Sequence, residues 1–161
     1  MAQCARAREK VLSLDALIIS LETIRPRRIA LTNGCFDLLH LGHIRSLEHA
    51  ASLGDVLIVG INSDDSVKAL KGADRPLLAA NERAEMIAAL RCVDLVTIFS
   101  ELTAEALVRA VKPDVYVKGA DYGEAPLPEA AIVRGYGGQI ELVPLVPGLS
   151  TSSIIERMRA H

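Results

Sequence analysis

The stretch RIALTNGCFDLLHLGH, from Arg28 to His43, decides the fold and marks where the chemistry lies. Its first part, Ile29 to Thr32, is a short apolar run of the kind that forms a buried strand. Asn33 and Gly34 then favour a turn, and a helical pattern begins near Leu41. A buried strand that turns directly into a helix is the first unit of a parallel α/β fold. Ligands in such folds bind at the carboxyl ends of the strands, so this turn is the first candidate site.

The rest of the chain repeats the alternation of strand and helix. The predicted strands are Ile29–Thr32, Val56–Ile61, Leu95–Phe99, Val115–Val117 and Ile140–Val143. The predicted helices are Leu41–Leu53, Ser66–Leu70, Glu82–Leu90, Ala104–Val111 and Pro128–Gly135. Short connections between them imply parallel strands, right-handed crossovers and helices on both faces of the sheet. We therefore expect an α/β fold: a Rossmann-like, doubly wound, five-stranded parallel sheet in a single domain.

Residues 1–27 carry a different pattern. Ser13 is an N-cap candidate and Pro26 ends a helical segment. The apolar residues between them repeat at helical spacing, at Leu14, Leu17, Ile18, Leu21 and Ile24. We expect residues 1–27 to form a leading helical segment and residues 28–161 to form the main domain. Apolar positions exposed on this helix leave two uses open, contact with a second copy in a homo-oligomer or packing on the same chain.

Composition narrows the class of protein. With 161 residues and 50% hydrophobic content, the chain has material for one domain with a sizeable core. A formal net charge of -2 gives no basic field, so we expect no nucleic-acid partner and look for a small anionic ligand. Three cysteines without a C-x-x-C pair fit a reducing cytoplasm. The apolar run Ala16–Leu21 lies between Asp15 and Glu22, which suits neither a signal peptide nor a membrane span.

His40 and His43 lie three residues apart around Gly42, at the start of a predicted helix. Because Gly42 has no side chain, a phosphate can approach the first helical amides, where free N–H groups and the helix dipole favour anions. The pair therefore indicates phosphate chemistry. A plainer interpretation makes His40 a helix cap and His43 a satisfied polar residue. A third makes Asp37, His40 and His43 a metal site, although the glycine and the helix start suit phosphate better.

Two later segments carry groups suited to phosphate. The run GLSTSSIIERM, from Gly148 to Met158, places consecutive hydroxyls before a helical pattern, where they form either an N-cap or a phosphate cradle. Lys118 and Gly119 follow the fourth predicted strand and so lie at a carboxyl edge. The sequence contains no G-x-S-x-G, Walker A or G-x-G-x-x-G motif, so hydrolase, kinase and dinucleotide-binding interpretations lose support.

Together, H-x-G-H after the first strand and the late S-T-S motif resemble the HIGH-type nucleotidyltransferase superfamily. Its members transfer a nucleoside monophosphate from a nucleoside triphosphate to a phosphorylated acceptor and release pyrophosphate. From about Leu12 to the end, the chain is similar to the bacterial D-glycero-β-D-manno-heptose 1-phosphate adenylyltransferases. The stretches that carry this likeness are TNGCFDLLHLGH, GDVLIVGINSD, LKGADRP, NERAEMI, PDVYVKGADY, LPEAAIVRGYGGQIELVPLV and GLSTSSIIERM. H-x-G-H alone is generic, and the joint pattern is specific.

The resemblance implies a role for each matching residue. His40 and His43 would be catalytic, holding the triphosphate and stabilising the charge that builds during transfer. The nucleotide would contact Asn33, Gly34, Phe36, Gly42, His43, Lys118, Gly119, Asp121, Ser150, Thr151 and Ser152. The acceptor sugar phosphate would contact Asp37, Lys71, Arg75 and Arg83. No protein side chain is expected to hold a metal ion, because Mg²⁺ would be carried by the ATP phosphates.

The reaction implied is in-line attack by the sugar 1-phosphate on the α-phosphorus of ATP, without a protein nucleophile. It would give ADP-heptose for lipopolysaccharide core or related glycan synthesis. In many bacteria this activity is fused behind a sugar kinase domain, for which the chain has no room, so the stand-alone form is expected. Two alternatives stay open. A glycerol-3-phosphate cytidylyltransferase shares both motifs and an R-x-V-D segment, here Arg91–Asp94. A nucleotide-binding regulatory module without catalysis would use the same fold.

Overall fold

Six parallel strands form one sheet in residues 6–119, 127–144 and 151–159, which are the residues that the computed structural model describes. The strands are β1 (Val11–Leu12), β2 (Ile29–Gly34), β3 (Val56–Asn62), β4 (Leu95–Phe99), β5 (Val115–Gly119) and β6 (Gln139–Val143). Their order across the sheet is β1-β4-β3-β2-β5-β6, and every neighbouring pair is parallel. The predicted α/β class, with a parallel sheet in a single domain, is confirmed.

The predicted number of five strands is wrong, because a short edge strand precedes them. This strand, β1, contains only Val11 and Leu12, which pair with β4. Two residues are too few to give the apolar run or the alternation that marks a strand in a sequence. The next residue, Ser13, already caps the following helix, since its side chain accepts a hydrogen bond from the amide of Ala16. A strand pattern therefore has no room to develop.

Helices cover both faces of the sheet. They are α1 (Leu14–Ile24), α2 (Leu41–Ser52), α3 (Asp64–Lys71), α4 (Ala80–Ala88), α5 (Glu105–Val111), α6 (Ala130–Gly135) and α7 (Thr151–Arg159), and a 3-10 turn (Ala7–Lys10) precedes β1. Leu47 of α2 and Ile87 of α4 belong to the core on one face. Leu17 of α1, Leu107 of α5 and Val133 of α6 belong to the core on the other face. Strand side chains alternate between the two cores, as the pleat requires.

The chain changes direction across the sheet between β2 and β5. From β2 it builds outward through β3 to β4, and it then returns to the other side of β2 to form β5 and β6. Because α2 and α5 lie on opposite faces, a crevice opens over the carboxyl ends of β2 and β5. In doubly wound sheets this is the crevice where ligands bind.

Three aspartates fix the opposite end of the sheet. Each lies immediately before a strand and accepts a hydrogen bond from an amide at or next to the start of the neighbouring strand. The bonds join Asp55 to Arg28 N at 2.8 Å, Asp94 to Leu57 N at 2.8 Å and Asp114 to Ile29 N at 2.7 Å. A buried amide without a partner costs free energy, so these bonds stabilise the strand register.

The leading helix predicted from Leu14 is present as α1. Leu17 and Leu21 are buried against the sheet, whereas Ile18 and Ile19 are 41% and 67% exposed. Among the described residues, no helix combines the length and the apolar content that crossing a bilayer would require.

Candidate active site

A cavity of about 410 Å³ lies at the carboxyl edge of the sheet, over the crevice between β2 and β5. Its size is that of a small-molecule site. Nine of the residues predicted to bind nucleotide or acceptor line it: Asn33, Gly34, Phe36, Asp37, His43, Lys71, Lys118, Gly119 and Thr151. Asp121, Ser150 and the side chain of Ser152 lie outside the described residues. The fold therefore gathers segments far apart in sequence into one site.

The turn between β2 and α2 is shaped by an unusual backbone conformation. Phe36 has a φ of 47°, in the left-handed region that side chains other than glycine rarely adopt. Its ring folds back toward α2 and lies 5.1 Å from the ring of His43. A Cβ atom at Gly34 would lie 3.1 Å from a carbon of the Phe36 ring, so this position has little room for a side chain. Local strain of this kind is typical of functional turns.

The two histidines stack at the start of α2. Their ring centroids are 3.8 Å apart with an interplanar angle of 22°. His40 occupies the N-cap position, but its side chain makes no capping hydrogen bond. The interpretation of His40 as a side-chain cap is therefore wrong. In both rings Nδ1 is buried and has no hydrogen-bond partner within the described part of the chain. Gly42 is buried in the same first turn.

Burial disfavours the protonated form of both imidazoles. The pKa of His43 is lowered from 6.5 to about 4, first by burial and then by the charges of His40 and Lys71. The carbonyl of Leu38 opposes this shift, although it lies outside hydrogen-bond geometry at Nδ1 of His43. Burial also lowers the pKa of His40. A neutral imidazole offers one donor and one acceptor, so the pair meets a ligand as hydrogen-bonding groups rather than as fixed cations.

The hydroxyl motif meets the histidine turn through α7. Thr151, the first residue of α7, is 9% exposed and lines the cavity. Its Oγ1 lies 3.5 Å from the carbonyl oxygen of Leu38, which is in the loop before His40. The N-termini of α2 and α7 thus border the same cavity. Two helix N-termini side by side favour an anionic ligand.

Lys118 places a cation beside the crevice between β2 and β5, where the chain changes direction across the sheet. Its side chain is 6% exposed, and its Nζ donates to Oδ1 of Asn33 at 3.0 Å. The hydroxyl of Tyr116 donates to the same oxygen at 2.6 Å. Asn33 is the penultimate residue of β2 and Lys118 that of β5, so this network joins the two strands that border the crevice. It fixes a buried ammonium group in the wall of the cavity.

Asp37 has a structural task at the cavity wall. Its carboxylate is 2% exposed and accepts hydrogen bonds from Arg75 Nε at 2.6 Å, Leu77 N at 2.7 Å and Leu78 N at 3.1 Å. Arg75 does not line the cavity. The alternative metal site of Asp37 with the two histidines loses support, because this carboxylate is occupied. No group of three or more His, Cys, Asp or Glu side chains in the described segments is arranged to hold a metal ion.

Arg83 is fully buried and does not reach the cavity. Its guanidinium donates to the carbonyls of Leu78, Cys35 and Asn62, and it pairs with Asp64 at 2.8 Å. It therefore ties together the turn after β2, the end of β3 and the loop before α4. The structure does not bring this residue into the cavity wall, and its contacts indicate that it positions the loops around the site.

Several residues that line the cavity were not predicted from the sequence. They are Thr32, Cys35, Ser46, Asn62, Leu70, Leu102, Thr103, Ala104 and Glu129. A signal existed for Asn62 and for Leu102 to Ala104, because they end or follow parallel strands at the edge where ligands bind. Cys35 lies inside the decisive turn, and burial raises the pKa of its thiol. Glu129 lies immediately before α6, and no sequence pattern indicates that it belongs to the site.

Comparison with known proteins gives the family. Residues 31–157 match the model of the family described as cytidylyltransferase-like. The chain belongs to the cytidylyltransferase-like family. It is 50% identical over 152 residues to the bifunctional protein HldE of Geotalea uraniireducens, covering 93% of this chain and 31% of that protein. It is 46% identical to the HldE protein of Methylobacillus flagellatus over 158 residues, 97% of this chain and 32% of that protein. The chain thus spans about a third of these relatives.

Two solved structures are similar to this chain. A lipopolysaccharide core biosynthesis protein from Thermoplasma volcanium superposes with a TM-score of 0.61 at 30% identity, covering 74% of this chain and 97% of that one. A pantoate-beta-alanine ligase from Francisella tularensis superposes with a TM-score of 0.67 at 17% identity, covering 91% of this chain and 72% of that one. The second likeness concerns the fold alone.

We predict that Arg83→Gln lowers the free energy of unfolding by about 3 kcal/mol or more, because it leaves Asp64 and buried carbonyls without a donor. Urea denaturation of the full chain measures this. Arg91→Gln is the control, since Arg91 is exposed and its loss should cost less than about 0.5 kcal/mol. If Arg83→Gln kept wild-type stability and only raised the KM of the acceptor, substrate contact would be the correct assignment.

The lowered pKa of His43 predicts a pH-dependent stability. The unfolded chain holds this imidazole at its ordinary pKa of 6.5, and the folded protein holds it at about 4. As the pH falls through this window, the unfolded state takes up the proton first, so the free energy of unfolding decreases. His43→Gln should make that decrease shallower, as measured by urea denaturation at a series of pH values. Parallel pH profiles for the wild type and the variant would contradict the shift.

Proposed function

We propose that this protein is an adenylyltransferase that moves AMP from ATP to D-glycero-D-manno-heptose 1-phosphate. The products are ADP-heptose, for lipopolysaccharide core or related glycan synthesis, and pyrophosphate. The observation that carries the proposal is the meeting of the His40–His43 turn, Lys118 and Thr151 around one cavity at the switch point of the sheet. The HldE relatives at about 50% identity and the lipopolysaccharide core biosynthesis protein support the choice of pathway. The cytoplasm, where ATP is made, is the proposed compartment.

The chemistry follows from the groups in the cavity. A phosphate oxygen of the acceptor attacks the α-phosphorus of ATP, the bond from that phosphorus to the bridging oxygen breaks, and pyrophosphate leaves with the electron pair. The attacking oxygen is already ionised, so no protein nucleophile or base is required. Catalysis then rests on positioning and on stabilising the charge of the transferred group.

His43, Lys118 and the two helix N-termini are the groups suited to that stabilisation. His43 donates as a neutral imidazole in the empty site, and nearby phosphate charge favours its protonated form. Lys118 supplies a cation held in place by Asn33. Preorganised donors of this kind are effective because they need no rearrangement during the reaction. His40 does not line the cavity, and its stacking on His43 gives it a role in orienting that ring.

Lys71 is suited to the phosphate of the acceptor. It lies at the end of α3, is exposed, and lines the same cavity as His43. The flexible side chain of an exposed lysine at the cavity entrance can adjust its ammonium group to contact a bound phosphate. Asp37 and Arg75 contribute indirectly, because their ion pair at 2.6 Å orders the loop that follows Lys71.

Mg²⁺ is proposed to enter with ATP. The described side chains around the cavity include the carboxyl groups of Asp37 and Glu129, but no cluster of three or more candidate metal ligands occurs among the described residues. Hard cations prefer phosphate oxygens, so the triphosphate itself would hold the ion. When bound, the ion neutralises part of the phosphate charge.

A cytidylyltransferase acting on glycerol 3-phosphate is the second candidate, because the family is described as cytidylyltransferase-like. The third, a nucleotide-binding regulatory module, would bind ATP without releasing pyrophosphate. Pyrophosphate release separates all three. ATP and CTP are each assayed with both anomers of heptose 1-phosphate and with glycerol 3-phosphate. We expect turnover with ATP and one heptose 1-phosphate anomer. Turnover with CTP and glycerol 3-phosphate, or ATP binding without release, would replace the proposal by the matching alternative.

His43→Ala should lower kcat by on the order of 10²-fold, the loss typical of removing one donor to the transition state. The control is His49→Ala on the same helix, where the side chain is exposed and pairs with Glu141 at 3.6 Å. Its kcat should stay within about twofold of wild type. Circular dichroism of both variants should show the native fold. A His43→Ala enzyme with wild-type kcat would remove His43 from the mechanism.

A further inference from the structure

The cavity contains one buried carboxyl group that the proposed mechanism does not use. Glu129, immediately before α6, is 2% exposed and lines the cavity. Its Oε1 accepts a hydrogen bond of 2.7 Å from the amide of Ala104, just before α5. Its Oε2 is buried and has no hydrogen-bond partner in the described segments. One oxygen is therefore bound to the protein, and the other has no partner among the described residues.

The described part of the fold makes no use of this second oxygen. The Glu129 side chain makes no capping bond to its own helix α6, and the amide of Ala104 needs only one acceptor, which a neutral side chain would provide equally well. A buried polar atom without a partner costs free energy. Such an atom in a cavity wall is suited to a donor that arrives with a ligand.

The position of Glu129 indicates which ligand supplies that donor. In the proposed reaction the nucleotide phosphates are held by Thr151, His43 and Lys118, at α7, α2 and β5. Glu129 is instead anchored to Ala104, which follows β4 on the far side of β3. Leu102 and Thr103, which precede Ala104 in the chain, also line the cavity. This half of the cavity is left for the acceptor.

We propose that Oε2 of Glu129 accepts a hydrogen bond from a hydroxyl group on the sugar of the acceptor. The inference rests on the proposed function, since it assumes a sugar phosphate in this half of the cavity. A carboxyl group near the phosphate of the acceptor would be unfavourable, so the phosphate points to Lys71 and His43 and the sugar ring points to Glu129. The two ends of the cavity then orient the acceptor for in-line attack, and Glu129 selects a polyhydroxylated molecule.

The test uses Glu129→Gln in the full chain, with steady-state kinetics in which each substrate is varied at saturating concentrations of the other. Glutamine keeps an oxygen for the amide of Ala104 and replaces the second carboxyl oxygen by an NH2 group, which cannot accept a hydrogen bond. We expect the KM of heptose 1-phosphate to rise about tenfold or more, the magnitude typical of a hydrogen bond to a charged group. The KM of ATP should stay within about twofold. The urea midpoint should stay close to that of wild type, since one buried polar group replaces another and the hydrogen bond to Ala104 is kept.

Glu105→Gln is the matched control. Glu105 begins α5, bonds to the hydroxyl of Thr103 at 3.0 Å and does not line the cavity. Both of its KM values should stay at the wild-type level. Deoxy analogues of heptose 1-phosphate give a second measurement that uses the wild-type protein. One analogue should show the raised KM with wild type and no further rise with Glu129→Gln, because both changes remove the same bond.

The outcomes separate the inference from the function on which it rests. If wild type releases no pyrophosphate with heptose 1-phosphate, the proposed function is wrong and the inference falls with it. If wild type turns over and Glu129→Gln leaves the KM of the sugar unchanged, only the inference is wrong. A rise confined to the KM of ATP would assign Glu129 to the nucleotide and also overturn the inference. A fall in the urea midpoint with both KM values unchanged would show a purely structural role.

Discussion

The buried guanidinium of Arg83 is the interaction on which the rest of the site depends. It holds the carbonyls of Cys35, Leu78 and Asn62, which come from three separate segments, and its charge is balanced by Asp64. Those segments are the turn that carries the histidines, the loop that follows Lys71 and the end of β3. The turn and the loop are not held by regular secondary structure at that point. A planar group with five donors can join them in one fixed geometry, which a lysine could not.

The general fold can be predicted from the sequence because the pattern that determines it is repeated along the chain. Short apolar runs that alternate with amphipathic segments leave few arrangements other than a parallel sheet with helices on both faces. The exceptions are local. β1 pairs through only Val11 and Leu12, and its place at the sheet edge is set by β4, which lies more than eighty residues later. Such pairing leaves no periodic signal, since it depends on a partner rather than on neighbouring residues.

Site residues that belong to a sequence motif could be predicted. Residues whose position depends on a contact with a distant segment could not. His43, Lys118 and Thr151 belong to motifs and line the cavity. Arg83 looks the same in sequence as a ligand-binding arginine on a helix, and only its complete burial separates the two uses. Glu129 is the opposite case, since it lines the cavity although the sequence did not predict it there. A glutamate before a helix is ordinarily a surface residue. Both depend on contacts from elsewhere in the chain, namely with Cys35 and with Ala104.

The unpartnered atoms around the cavity connect stability with function. Five buried side-chain atoms lack a hydrogen-bond partner in the described residues, and three of these belong to His40, His43 and Glu129. The pKa of His43 reflects the same cost, because burial without a partner disfavours its charged form. The buried groups that cost the fold stability are thus the ones available for binding.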